Sequence, residues 1–154
     1  MAKLDLFRVA EVELVYRSKV PASERPKVKC SKDVYRLFIE NWNQGKIEYL
    51  EEAKLLLLNR SSGVLGIYNL SSGGTAGTII DPKLVFAAAL KANAQSIIIA
   101  HNHPSGNLQP SEQDVRLTRR IYQAGKALDL ELLDHMIVSN QGYYSFADEG
   151  VLGL

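Results

Sequence analysis

Apolar positions change their period several times along this chain, and the changes divide it into elements. Val12 to Tyr16 alternates loosely and predicts a strand, and Pro21 to Lys29 reads as a linker. Ser31 is placed to cap a helix that carries Asp33 in its first turn and Val34, Leu37, Phe38 and Trp42 on one face. Ala53 to Leu58 is an apolar run broken only by Lys54, which predicts a strand; Ser61-Ser62-Gly63 turns it, and Val64 to Leu70 returns as its partner. A further turn at Ser71-Ser72-Gly73-Gly74 leads to a third expected strand, Thr75 to Ile80. Asp81 then stands as N-cap before Pro82, opening a helix expected to reach Asn93. Ser96 to Ala100 is short and β-branched, the pattern of a buried strand. From Glu112 to about Ala127 the period is helical, with Leu117, Ile121, Ala124 and Leu128 expected to face the sheet. Leu132 to Ser139, a turn at Asn140-Gln141-Gly142, and Tyr143 to Phe146 form a closing hairpin. This order predicts an α/β chain with a mixed β-sheet sandwiched by helices.

Composition narrows the class. At 154 residues the chain is large enough for one domain with a real core, and 46% hydrophobic with 23% charged residues is ordinary globular usage. A single cysteine, Cys30, excludes an internal disulfide framework and fits a reducing compartment. Met1 to Asp5 lacks the apolar core of a signal peptide and no apolar run approaches membrane-spanning length, so the expectation is a cytoplasmic protein without a membrane partner. A net charge of +1 gives no general attraction to nucleic acid. Arg17, Lys19, Arg25, Lys27, Lys29 and Lys32 form a local basic stretch offset by Glu24, but no aromatic residue interleaves with them as a single-strand binder requires. Nucleic acid is therefore not the expected partner.

The chemistry concentrates in residues 101 to 114, His-Asn-His-Pro-Ser-Gly-Asn-Leu-Gln-Pro-Ser-Glu-Gln-Asp. Side chains alternate along a strand, so His101 and His103 emerge on one side at the end of the apolar run. Pro104 to Asn107 turns the chain, and Ser111 is placed as N-cap with Asp114 three residues on as a capping-box acid. A lone histidine is usually structural, and an acid at that helical position needs no metal. Two histidines at strand spacing, a forced turn and an acid at this offset together make a three-ligand zinc set with the fourth position open, as hydrolysis requires. Proton transfer beside such a metal suits a glutamate held off the ion, and Glu51 and Glu52, before the Leu55 to Leu58 run, are both candidates. His135 fits a core or supporting position better than a ligand, and Asp134 is the type of carboxylate that can orient a zinc-bound imidazole.

His-x-His-Pro, six residues, Ser, two residues, Asp resembles the JAMM metalloprotease motif of MPN/JAB domains. The wording His101-Asn102-His103-Pro104-Ser105-Gly106 with Pro110-Ser111-x-x-Asp114 is similar to the bacterial RadC branch. So are Asp81 to Phe86, Ala87 to Ala94, Leu133-Asp134-His135 and Tyr144-Ser145-Phe146-Ala147, and the resemblance covers about residues 46 to 150. It implies the MPN/JAB (cytidine deaminase-like) architecture for residues 46–154, preceded by an N-terminal extension and linker helix over 1–45. It implies His101, His103 and Asp114 as zinc ligands and Ser111 as a helper of the oxyanion. It implies Glu51 as the catalytic base, because the RadC-like base lies eight residues ahead of an Asp or Asn that ends the apolar run, here Asn59.

The activity so implied is zinc-dependent hydrolysis of amide or isopeptide bonds in a peptide or protein substrate. A DNA-repair-associated protein is a second reading, and a non-catalytic MPN scaffold a third. The helix-hairpin-helix segment of full-length RadC proteins is not visible in the first fifty residues, which weakens the second. The complete residue set weakens the third. No inserted segment of the kind that clasps a ubiquitin tail interrupts Pro104 to Pro110.

Overall fold

The computed structural model describes residues 7–73 and 78–154. Among these, five strands form one mixed sheet: β1 (Glu52–Leu58), β2 (Val64–Ser72), β3 (Ser96–Asn102), β4 (Glu131–Ser139) and β5 (Gly142–Ser145). Their spatial order is β2-β1-β3-β4-β5. β1 runs antiparallel to both β2 and β3, β3 and β4 are parallel, and β5 returns antiparallel on β4. A parallel pair needs a crossover, and the helix α3 (Glu112–Ala127) supplies it. The helix α2 (Pro82–Lys91) links β2 to β3, and α1 (Ser31–Glu40) precedes the sheet. The chain is α/β with helices on both faces, an architecture consistent with the MPN/JAB fold.

The apolar strands are explained by this layering. Every residue of β3 is buried, because the strand is central and covered on both faces. Its odd-numbered positions Ile97 and Ile99, with Leu55 and Leu57 of β1, pack under α2 and α3 through Val85, Phe86, Ala89 and Ile121. Its even positions Ile98 and Ala100, with Leu56 and Leu58, pack on the other side with Val34 and Phe38 of α1 and with Trp42 and Ile47. The same alternation turns His101 towards the α3 side and Asn102 away from it.

Several expectations need correction. Val12 to Tyr16 belongs to no strand: Val12 and Leu14 are exposed and no ladder partner pairs with that backbone among the described residues, although the Tyr16 hydroxyl donates to Leu65 O. Of the third expected strand, Thr75 to Gly77 lie outside the described residues, while Thr78 to Ile80 are irregular and β2 instead continues to Ser72. Ser31 is the first residue of α1 rather than its cap; its hydroxyl donates to Asp148, and Asp33 takes up the Lys29 N–H at the helix start. α2 stops at Lys91, and Asn93 adopts a positive φ of 53°. On α3, Ile121 is buried as expected and Leu117 and Ala124 are partly buried, but Leu128 is 46% exposed. Thr118 and Gly125 take the inward line instead. Gly125 is required there, because a Cβ would lie 2.2 Å from Leu130 O.

Candidate metal centre

His101 leaves the end of β3 on the α3 side, where Asp114 stands in the first turn of α3. Ser111 caps that helix: its hydroxyl accepts from Asp114 N at 3.1 Å and Asp114 Oδ2 accepts from Ser111 N at 2.8 Å, closing a capping box. Asp114 Oδ1 is thereby left to face His101, 3.4 Å from its Nε2. His103 follows at the strand end, and a turn closed by Gly106 N to His103 O brings Asn107 O to 2.6 Å from His103 Nδ1. A carbonyl only accepts, so His103 Nδ1 carries a proton, and in the neutral imidazole Nε2 presents a lone pair. That nitrogen lies 3.0 Å from His101 Nε2 and 3.5 Å from Asp114 Oδ2.

Glu51 stands immediately before β1, in the position sequence reasoning left to compete with Glu52. Its Oε1 lies 3.9 Å from His103 Nε2, and its Oε2 accepts from Thr78 N at 2.7 Å. Glu52 belongs to β1 and pairs with Ser72, and its Oε1 has no hydrogen-bond partner among the described residues. Glu51, Ser111, His101, His103 and Asp114 therefore border one cleft of about 630 Å³, with Ile79, Leu117 and Arg120 along its wall.

Two residue sets share the histidines. Ligand atoms of Glu51, His101 and His103 lie within 4.8 Å of one another and could hold a metal ion. Asp114 makes the tighter set. Zinc bonds of about 2.0–2.1 Å in a tetrahedron separate neighbouring ligand atoms by about 3.3 Å. His101 Nε2 lies 3.0 Å from His103 Nε2 and 3.4 Å from Asp114 Oδ1, and His103 Nε2 lies 3.5 Å from Asp114 Oδ2, so each pair comes close to that edge, the carboxylate meeting the two histidines through different oxygens. The donor set thus fits a small divalent cation, and the 3.9 Å approach of Glu51 lies outside the edge.

Electrostatics agree with a cation-seeking cluster. Burial works to raise the Asp114 carboxyl, but the adjoining His101 and His103 imidazoles, able to donate to it when protonated, and the Ser111 amide outweigh it and hold the group well below the usual carboxylate range. The hydrogen bond that a protonated His103 gives Asp114, against some loss from burial, raises His103 above its ordinary value.

Sequence reasoning left His135 and Asp134 outside the site, and the structure separates them. His135 is 1% exposed and its Nε2 lies 2.8 Å from His101 Nδ1. Its ring stacks on Phe146 at 5.0 Å and 8°, and its Nδ1 lies 2.5 Å from Thr118 Oγ1. Burial pushes His135 well below its ordinary value, with the nearby His101 adding to the effect. Asp134 turns elsewhere, accepting from the Ser145 hydroxyl and from the amides of Ala147 and His135. The reason is a register shift. Ile97 pairs with Leu132 but Ile98 with Asp134, so Leu133 is an extra residue and His135 falls opposite Ile99, on the face of His101. Plain alternation from Leu132 would send it to the other face.

Asn102, missed entirely, connects the two halves of the site. It is wholly buried; its Oδ1 accepts from Glu52 N at 2.7 Å, and its Nδ2 donates to Ile47 O and Leu50 O, each at 2.7 Å. The residue between the histidines therefore anchors the segment that carries Glu51.

Residues 28–151 match the family described as the RadC-like JAB domain. The chain belongs to that family. The match begins before α1, so it takes in the helix that packs through Val34 and Phe38. Among curated relatives of this RadC-like chain, a "UPF0758 protein" of Flavobacterium johnsoniae is 40% identical over 151 residues, covering 98% of this chain and 62% of the relative. One from Porphyromonas gingivalis is also 40% identical over 151 residues, covering 94% and 63%. One from Thermotoga maritima is 43% identical over 106 residues, covering 68% and 48%. The chain thus spans less than two thirds of the length of these relatives. No helix among the described residues is long and apolar enough to cross a membrane.

Proposed function

We propose that this chain is a zinc-dependent hydrolase of amide or isopeptide bonds in a peptide or protein substrate. The observation that carries the reading is the convergence of His101 Nε2, His103 Nε2 and the Asp114 carboxylate to pairwise contacts of 3.0–3.5 Å, with Glu51 just outside them in the same cleft. His101, His103 and Asp114 are the ligands. Zinc held by three protein groups lowers the pKa of water to about 7 and polarises a substrate carbonyl.

The remaining work falls to the chain's own side chains. Glu51 Oε1 accepts the proton of the attacking water, since Oε2 is held by the Thr78 amide and the carboxylate cannot swing away freely. The same oxygen delivers that proton to the leaving nitrogen as the C–N bond breaks. Ser111 Oγ spends a lone pair on the Asp114 amide as helix cap, which leaves its hydroxyl proton to donate to the carbonyl oxygen as charge builds there. Ile79 and Leu117 give the cleft an apolar wall against which an extended substrate can lie. Nucleic acid is not the proposed substrate, because a net charge of +1 provides little phosphate attraction.

The test is elemental analysis of zinc-reconstituted protein alongside a peptide-hydrolysis assay on the same preparation. The parent chain should carry one zinc ion and hydrolyse, and His101→Ala should lose both. Full zinc occupancy in His101→Ala would overturn the ligand assignment; zinc without hydrolysis of any peptide or isopeptide substrate would overturn the activity.

A further inference from the structure

We propose that Thr118 and His135 are positioning residues that fix the tautomer of His101, so that its Nε2 is the nitrogen presented to the metal. The inference rests on the metal reading above but concerns groups that touch no metal. The chain of donors can be followed from one fixed end. Asp114 O is a carbonyl and can only accept, so the Thr118 hydroxyl, 2.7 Å away, spends its proton there. Thr118 Oγ1 must then accept from its other neighbour, and His135 Nδ1 at 2.5 Å is the donor. His135 is 1% exposed with a second histidine beside it, a place where a full positive charge is costly, so it is neutral and its Nε2 is bare. That bare nitrogen accepts from His101 Nδ1 at 2.8 Å. His101 then carries its proton on Nδ1, and Nε2 is the nitrogen left facing His103 and Asp114, free to give a lone pair to a metal held there.

The path closes on itself. It begins at the backbone carbonyl of Asp114 and ends at a nitrogen 3.4 Å from the carboxylate of the same residue. A zinc-bound imidazole is usually oriented by a carboxylate, a backbone carbonyl or water. Here a hydroxyl and a second imidazole extend the reach of a carbonyl one helix layer away. Both relay members are held independently: Thr118 by its back-bond to the residue four earlier, and His135 by its stack on Phe146 and by its amide on Asp134. The arrangement also explains why a threonine occupies an inward position of α3 where the helical period calls for an apolar side chain.

The experiment compares the parent with Thr118→Val, which keeps the shape and removes the hydroxyl, and Thr118→Ser, which restores it. Zinc affinity is read by competition with a chromogenic chelator, and the tautomer of His101 by long-range ¹H–¹⁵N spectra of protein with no metal added. Thr118→Val should bind zinc about 10–100-fold more weakly, and Thr118→Ser should recover most of that loss. The parent spectrum should show His101 protonated at Nδ1, and Thr118→Val should show a mixture. Parent-like affinity in Thr118→Val, or a parent spectrum with His101 bare at Nδ1, would overturn the relay. Should the parent bind no zinc at all, the metal reading fails, and the spectrum still decides the relay by itself. The parent spectrum also serves if Thr118→Val does not fold.

Discussion

Replacing Asn102 by Leu tests whether the residue between the two histidines ties the base-bearing segment to the metal strand. Leucine is close in volume, so little cavity or overpacking arises; what changes is hydrogen bonding. Three backbone groups lose their partner: Ile47 O, which is buried, and Leu50 O and Glu52 N, which are partly buried. An orphaned buried group costs about 1–3 kcal/mol. Taking about 2 for the buried carbonyl and about 1 for each of the others gives a loss of about 4 kcal/mol. For a chain of this size each kcal/mol lowers the melting temperature by about 2–4 °C, so Asn102→Leu should melt about 8–16 °C below the parent. Hydrolysis should fall further than zinc occupancy does, since Glu51 sits between Leu50 and Glu52 while His101 and His103 keep their own supports. Asn102→Asp sharpens the test. It can still accept from Glu52 N, but its carboxylate would face two carbonyl oxygens, which raises its folded pKa above the unfolded value. Its deficit relative to the parent should therefore shrink as pH falls through that raised pKa, when the protonated acid can donate. Calorimetry of both variants at pH 7 and pH 5 measures this. A melting temperature for Asn102→Leu within about 3 °C of the parent, with hydrolysis intact, would refute the reasoning.

Glu51→Gln should retain zinc and lose about 10²–10⁴-fold in hydrolysis, while Glu52→Gln retains both; the opposite outcome in steady-state assays would move the base by one residue. Zinc and a proton compete for His103 Nε2, and because Asp114 raises that histidine's pKa, affinity should begin to fall while pH is still above the ordinary value of 6.5, then by about tenfold per unit for each proton displaced. Titrations between pH 8 and pH 5.5 that show constant affinity would contradict this. Gly125→Ala places a Cβ 2.2 Å from Leu130 O, so the end of α3 must shift; a cost of about 2–3 kcal/mol should appear as a melting temperature lower by about 4–12 °C.

What can be read from the chain is what local chemistry controls. β3 is visible because a central strand buried on both faces needs an unbroken apolar run, and α3 because Ser111 and Asp114 form a cap within four residues. The same locality makes the convergence of His101, His103 and Asp114 legible without coordinates. The failures are places where a distant contact decides. Val12 to Tyr16 has the alternation of a strand, but alternation does not supply a neighbouring ladder. Thr118 faces inward because His135 lies there, and Gly125 because the chain crosses at Leu130 O, which together displace the expected face that ended at Leu128. His135 reaches the site through one extra residue in β4, and no composition marks Leu133 as that residue. Asn102 is hidden between two conspicuous ligands, on the opposite face of the strand.

The capping box at the start of α3 has a thermodynamic consequence. Asp114 uses Oδ2 to close the first turn of the helix, while Oδ1 points at His101. An ion drawn to Oδ1 also fixes the rotamer that Oδ2 needs for the cap, so metal occupancy and order of that turn become one equilibrium. A ligand present at a hundredfold excess over its Kd adds about 2.7 kcal/mol to the native state. Much of that increment should be felt by the amides of Ser111 and Asp114, which open locally at less cost than the buried amides of β3. Hydrogen exchange at the beginning of α3 then serves as an internal gauge of loading, readable without a substrate, whereas β3 reports only unfolding of the whole domain.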